Sequence, residues 1–276
     1  MIEHTKNIEL QIKQSGSYFD IDEDGFLINP TGLDRIQPRW LPIVDRVAKA
    51  YQEVYGDALT HVFIRGSVAK GMAIEDLSDI DSFCLINVAN IPDVGEEFRI
   101  LDNHIRVEFP FCEGVEFQTY CESDLPLDDS LIIQSLCIFG DVPFAPKIKP
   151  GKAMIRNATG VFPRMQRSEE KGIVLHQSGT PESIQAQCVW LMKEILRVGV
   201  ELTYERSGRF TRDLYLCWKD FSEYYPAHDD SMRYVLYLAL NPTTSMDKID
   251  VVRNELVPFL QQEAVRLDIA QPTNHS

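Results

Sequence analysis

Two short apolar runs, His61–Arg65 (HVFIR) and Asp79–Asn87 (DIDSFCLIN), flank the segment Gly66-Ser67-Val68-Ala69-Lys70-Gly71. Each run is rich in β-branched and aromatic residues and too short for a buried helix, so each reads as a strand. Gly66 ends the first strand. Ser67–Met72 contains good helix formers, so a second helix is expected to start there. A strand, a glycine turn, a helix and a second strand confine this part of the chain to a mixed α/β sheet.

The flanking sequence extends that sheet. Leu41, Val44, Val47, Ala48, Tyr51, Val54 and Tyr55 fall at helical spacing and Gly56 can end the helix. Residues 105–112 and 115–121 read as a strand pair turning at Glu113-Gly114, and residues 125–139 as a further helix. Residues 17–29 read as two short strands around Asp24-Gly25. Asp20, Asp22, Asp24 and Gly25 imitate the first half of a calcium loop, but position twelve is Thr31 instead of the required Glu. From Glu182 the apolar stripes are helical throughout, with stops at Ser207-Gly208 and Asn241-Pro242. The expected layout is an α/β domain over 1–145, a Pro- and Lys-bearing linker over 146–180, and an all-α helical bundle over 181–276.

Charge bounds the partners. The 276 residues carry 27 Lys and Arg against 42 Asp and Glu, a formal net charge of −15. A broad grip on a nucleic-acid polymer needs clustered basic residues, so none is expected. A small anionic ligand in a local pocket stays open. No run of about 18 apolar residues is present, so no membrane span is expected, and the N-terminus has no apolar signal core. The six cysteines form no CxxC pair and most have apolar neighbours. They read as reduced core residues of a cytoplasmic protein, with a Cys112–Cys121 disulfide as the minor alternative.

The chemistry concentrates in the opening feature. A glycine at a strand end lets backbone approach a ligand, and the first N–H groups of a helix lack partners within it. Such a turn can hold a phosphate, and the Ser67 hydroxyl adds a donor. Asp79 and Asp81, two apart on a strand, project from one face. Two carboxylates side by side repel, and a divalent cation relieves the repulsion. Magnesium, which favours oxygen ligands and phosphates, suits the pair. Neither motif alone is specific; together they place a phosphate cradle beside a metal-binding pair.

Gly66, Ser67, Gly71, Ser78, Asp79 and Asp81, followed by the apolar strand SFCLI, resemble the signature of the polymerase-β-like nucleotidyltransferase superfamily, in its minimal and aminoglycoside-type branch. The resemblance is specific over 62–86, looser over 105–141, and only general in the C-terminal helices. It implies an α/β nucleotidyltransferase domain followed by a helical domain. It implies a two-magnesium site in which Asp79 and Asp81 are joined by a third carboxylate from a neighbouring strand. Glu116 in VEFQTYCESDL fits that place better, with Glu108 in RVEF as the alternative. It also implies a nucleoside triphosphate on the Gly66–Ser67 turn, attack by an acceptor hydroxyl on the α-phosphate, and release of pyrophosphate. AMP transfer to a small molecule such as an antibiotic is the specific expectation. Transfer to a protein partner, as in toxin–antitoxin pairs, and a nucleotide-binding module without turnover are the alternatives.

Further basic residues fit less sharply. Lys70, one turn after Ser67, can reach phosphate. Arg212 in Thr211-Arg212-Asp213 lacks the local capping role that explains its neighbours and is a phosphate contact in this reading. Lys147, Lys149, Lys152 and Arg156 cluster in the linker and read as a solvated segment, with closure over the triphosphate as the alternative. Glu194, Glu201 and Glu205 read as solvated helix glutamates. The acceptor, the base of the nucleotide, the general base and the oligomeric state are not encoded in any motif.

Overall fold

A computed structural model describes residues 14–124, 129–141, 147–151 and 179–268. The chain divides into two compact units. One spans 20–148; the other combines the N-terminal residues through Phe19 with residues from 149 onward. Most of the 146–180 linker lies outside the described residues, as do Lys152 and Arg156.

The first unit is a four-stranded mixed sheet with helices. Its elements in order are α1 (Leu41–Tyr55), β1 (Leu59–Arg65), the single turn α2 (Gly66–Ala69), β2 (Ile80–Ile86), α3 (Gly95–Glu108), β3 (Val115–Cys121), the single turn α4 (Asp129–Ile132) and β4 (Ser135–Phe139). The strand order is β3-β2-β1-β4. β1 runs antiparallel to both β2 and β4, and β2 runs parallel to β3. A parallel pair needs a crossover, and α3 supplies it.

α3 overturns one sequence expectation. Residues 105–108 are the last turn of a helix, not a strand, so no hairpin joins them to 115–121. The β-like string IRVEFPFC conceals a helical stripe. Phe98, Leu101 and Ile105 recur at three- and four-residue intervals and are the buried residues of α3, while Val107 is exposed. A second expectation also fails. Among the described residues of 125–139, only 129–132 form a helical turn, and 135–139 form the edge strand β4. There Leu136 and Ile138 pack into the larger core and Cys137 against the smaller one. This is the alternation of a strand, stabilised by a partner, β1, that local sequence does not reveal.

The larger core lies between one sheet face and α1 and α3. Val62, Ile64, Ile80, Cys84 and Ile86 meet Ile43, Val47, Tyr51 and Ile105 there. Tyr51 packs edge-on against Phe98 and Phe117, which stack on each other at 4.5 Å. Phe63, Phe83, Leu85 and Ile132 form a smaller cluster on the opposite face. The two faces follow from the two-residue period of β1 and β2. Cys84, Cys112, Cys121, Cys188 and Cys217 are buried, and all six cysteines are free thiols. In the 17–29 stretch one antiparallel bridge joins Ile21 to Leu27. Asp22 Oδ1 accepts the Asp24 and Phe26 N–H groups at 3.0 and 2.8 Å, so this aspartate shapes a turn.

The second unit is all-helical in its described residues beyond 179: α5 (Pro181–Glu201), the single turn α6 (Tyr204–Ser207), α7 (Leu214–Tyr224), α8 (Asp229–Leu240) and α9 (Met246–Arg266). Thr180 caps α5, accepting the Ser183 N–H at 3.3 Å. Gly208, at φ +62°, ends α6 in the left-handed region, as the Ser207-Gly208 stop leads one to expect. Residues 17–19 join these helices. The Phe19 N–H donates to the Phe210 carbonyl at 2.9 Å, Thr211 Oγ1 donates to the Ser17 carbonyl at 3.0 Å, and Tyr18 OH donates to Asp220 at 2.6 Å. Glu201, expected to be solvated, is buried and lies 3.7 Å from Arg212 Nη1. Glu194, 12% exposed, pairs with Arg197 at 3.2 Å. Among the described residues no helix is long and apolar enough to cross a membrane.

Tyr51 ties α1 to two strands. Its hydroxyl shares a 3.0 Å hydrogen bond with Ser82 on β2 and accepts the Gln118 N–H of β3 at 3.1 Å. Tyr51→Phe leaves these buried groups short of a partner and is expected to lower stability by about 1–3 kcal/mol. Urea unfolding measures the loss, with an unchanged midpoint as the contrary result.

Candidate active site

The end of the sheet carries one polar row. Arg65 on β1 is in register with Asp81 on β2, and Asp81 with Glu116 on β3. Residues directly paired across strands share a face, so the guanidinium and the two carboxylates project together. Arg65 Nη2 lies 3.7 Å from Asp81 Oδ1 and 4.0 Å from Glu116 Oε2. The three side chains are 25, 30 and 47% exposed, so all are partly shielded yet open to solvent.

The Gly66–Ser67 turn follows Arg65 immediately. Gly66 has φ +75°, and a Cβ there would collide with the Asp81 carboxylate. Glycine is thus required by conformation and by space. The Ser67 hydroxyl donates to Ser78 Oγ at 3.2 Å, and Ser78 Oγ accepts the Ile74 N–H at 2.9 Å. The serine of the turn and the serine before the two aspartates therefore hold the 67–78 loop closed. Gly71, at φ +71°, has the Arg35 carbonyl where a Cβ would stand. Lys70 follows the last residue of α2, and its N–H donates to the Val68 carbonyl.

β2 begins at Ile80, which leaves Asp79 one residue ahead of it and exposed. Asp81 and Glu116 meet directly. Burial first, then the hydrogen bond and charge of Asp81, raise the Glu116 carboxyl above its ordinary range, while Gln118 and Arg65 oppose the rise. Gln118 donates to Glu116 through its amide, and Tyr120 OH donates to Gln118 Oε1 at 3.1 Å. A file of polar side chains along β3 thus aims the Glu116 carboxylate.

Glu108 does not belong to this row. It ends α3, is 56% exposed, and lies 4.0 Å from Arg46 Nε. Its placement on a helix removes the register that would bring it beside Asp81. Arg212 sits in the helical unit with Glu201 as its partner. Burial and then the Arg212 charge hold the neighbouring Arg197 guanidinium below its usual range. Thr211 does not cap α7. It is buried, and its Oγ1 accepts the Asp213 N–H at 3.1 Å. Lys147 lies over the Phe26 ring at 5.6 Å, and with Lys149 it is the described part of the basic cluster.

Sequence reading missed Arg65 and Gln118. Both had a signal: Arg65 directly precedes the glycine of the turn, and Gln118 stands two residues after Glu116 on the same strand face.

The donor set suits a hard divalent cation. Asp81 and Glu116 supply oxygen only, and two carboxylates side by side favour a cation that both can share. Among the described residues no three His, Cys, Asp or Glu side chains form a metal-holding group. The pair fits magnesium as a partial protein shell, the usual arrangement when phosphates and waters complete it.

No family profile and no curated protein matches the sequence. Among solved structures the chain is similar to spectinomycin adenyltransferase AAD(9) from Enterococcus faecialis with ATP and spectinomycin. The identity is 14% and the TM-score 0.47, over 80% of this chain and 97% of that one.

A carboxyl with a raised folded-state value binds its proton more tightly in the folded chain than in the unfolded one. Its contribution favours folding at low pH and is lost as pH rises through that raised value. Glu116→Gln is therefore expected to melt above the wild type at pH 7. The gap should close as pH falls to about 4, the ordinary glutamate range. Calorimetry across that interval reads the difference; a gap that widens toward acid contradicts the assignment.

Proposed function

We propose that the chain is a magnesium-dependent nucleotidyltransferase. It moves a nucleoside monophosphate, AMP in the specific reading, from a nucleoside triphosphate to a hydroxyl of a small antibiotic-like acceptor. The observation that carries this reading is the Asp81–Glu116 pair, in register on adjacent strands, with Gly66 packed against the Asp81 carboxylate. The Gly66–Ser67 resemblance to the polymerase-β-like signature supplies the reaction class.

Asp81 and Glu116, with Asp79 from the same motif, are the residues that would hold magnesium. The bound ion would withdraw charge from the phosphates and stabilise the charge that develops on the leaving pyrophosphate. The chain's own part is positioning and shielding. The Gly66–Ser67 turn offers backbone N–H groups to the triphosphate, the Ser67 hydroxyl would join them on releasing Ser78, and Lys70 adds a charge after the turn. The acceptor oxygen bonds to the α-phosphorus and yields its proton to solvent water. The bond from that phosphorus to the bridging oxygen breaks, and pyrophosphate leaves with the electron pair. Gln118 keeps Glu116 oriented throughout. A chain of net charge −15 also favours a cationic acceptor over an anionic one.

The test supplies α-labelled nucleoside triphosphates, magnesium and a panel of aminoglycosides, lincosamides and related hydroxylated antibiotics. Labelled product and pyrophosphate are expected in equal amounts with one acceptor class. Asp81→Ala should lower the rate about a hundredfold or more, the cost of losing charge stabilisation at the reacting phosphate. Transfer that persists undiminished in Asp79→Ala/Asp81→Ala overturns the reading.

A further inference from the structure

We propose that Arg65 is a positioning residue: a resident counter-ion that holds the Asp81 and Glu116 carboxylates together until a divalent cation displaces it. The proposal rests on the reading of those carboxylates as metal ligands, and it assigns a role to a side chain outside the motif.

Three observations carry it. First, register places Arg65 directly beside Asp81, with Glu116 one strand further, so a fixed positive charge faces both carboxylates. Second, the contacts are loose. At 3.7 and 4.0 Å the guanidinium balances charge without the close fork that arginine and carboxylate can form, so no short bond to either carboxylate has to be broken for it to move. Third, Arg65 Nε is buried with no hydrogen-bond partner. A buried, unpaired N–H is costly, so this side chain is held in a position that its own bonding does not optimise.

The physical logic is competition for the same oxygens. Two carboxylates on neighbouring strands repel, and an empty site would push the sheet end apart. Arg65 offsets that repulsion, and arginine never loses its charge in the working range of pH. A divalent cation does the same with twice the charge, so the arginine and the cation oppose one another. Once displaced, the guanidinium stands one residue from the Gly66–Ser67 turn, where an anionic triphosphate would receive it. Arg65 would then weaken metal binding to the free protein and limit stable loading to the presence of nucleotide.

Manganese serves as the probe, titrated into the full chain at pH 8 without nucleotide and read by the paramagnetic resonance of free ion. Arg65→Gln is expected to bind it at least about fivefold tighter than the wild type, because a unit charge some 4 Å from the ligands is removed. Arg65→Lys, which keeps the charge, should stay near the wild type, and Asp81→Asn should lose binding. If Arg65→Gln does not fold, the same substitution in a Glu116→Gln background restores the charge of the row. It is compared with Glu116→Gln alone, and the same gain is expected. A folded arginine variant with unchanged or weaker manganese affinity overturns the proposal, as does a site that binds no manganese in any form. Both results leave nucleotidyl transfer to be judged by its own label assay, so the two readings fail separately. A merely structural arginine would lower stability without raising metal affinity.

Discussion

β2 must satisfy the core and the site with one register. Ile80, Ser82, Cys84 and Ile86 face α1 and α3, while Asp81, Phe83 and Leu85 face the other way. A slip by one residue would turn Asp81 into the apolar core and bring Ile80 out to the polar row. Strands on both sides prevent that slip. Ser82 adds a pin, since its hydroxyl donates to the Glu116 carbonyl at 2.8 Å and meets Tyr51 within the core. The carboxylates are therefore aligned by the same contacts that bury the sheet.

Crowding at the end of the sheet follows from that alignment. Gly66 leaves β1 with a positive φ, and the Asp81 carboxylate fills the place of a side chain there. The turn and the aspartate are one packed object, so the two halves of the proposed site cannot drift apart independently. Arg65 is the neighbouring cation that makes two carboxylates tolerable in a partly shielded site. An apolar trio of similar volume would cost less to bury. Retaining three charged groups there is the expected signature of function taking precedence over stability.

Much of this was legible in the sequence, and the exceptions share a cause. β1 and β2 are short apolar runs that end at glycine or begin at aspartate, so their limits are written locally. The helices after residue 180 have stripes long enough to declare their period. α3 failed because Ile105–Cys112 combines β-branched and aromatic residues, and only the more distant Phe98 and Leu101 reveal the helical spacing. β4 failed because its stability comes from β1, seventy or more residues earlier in the chain. The attachment of Ser17–Phe19 to the helical unit is a long-range fact of the same kind. In the site, Asp81 and the glycine turn were readable as a motif. Glu116 was preferred to Glu108 on the fit of its surroundings, and strand register adds that Glu116, not Glu108, stands beside Asp81. Arg65 carried no motif at all, and its meaning comes from what stands beside it.

The helical unit shows how a charged group acquires a different meaning from its partners. Arg212 has no local capping role, and a lone arginine in an acidic chain invites assignment to phosphate. Glu201, buried and 3.7 Å away, provides a structural reason for it, because a buried carboxylate without a cation would be far more costly than the pair. Asp220 repeats the pattern: it is buried, with Arg209 at 3.0 Å and Tyr18 donating to it. In both cases the geometry accounts for the charge within the fold. At the sheet end the carboxylates are open instead: Asp81 and Glu116 are 30 and 47% exposed, whereas Glu201 and Asp220 are buried. The contact distances do not separate the two kinds of site, since Arg212–Glu201 and Arg65–Asp81 both stand at 3.7 Å. What separates them is access, because a solute can reach the carboxylates of the strand-end row and cannot reach those inside the helical unit.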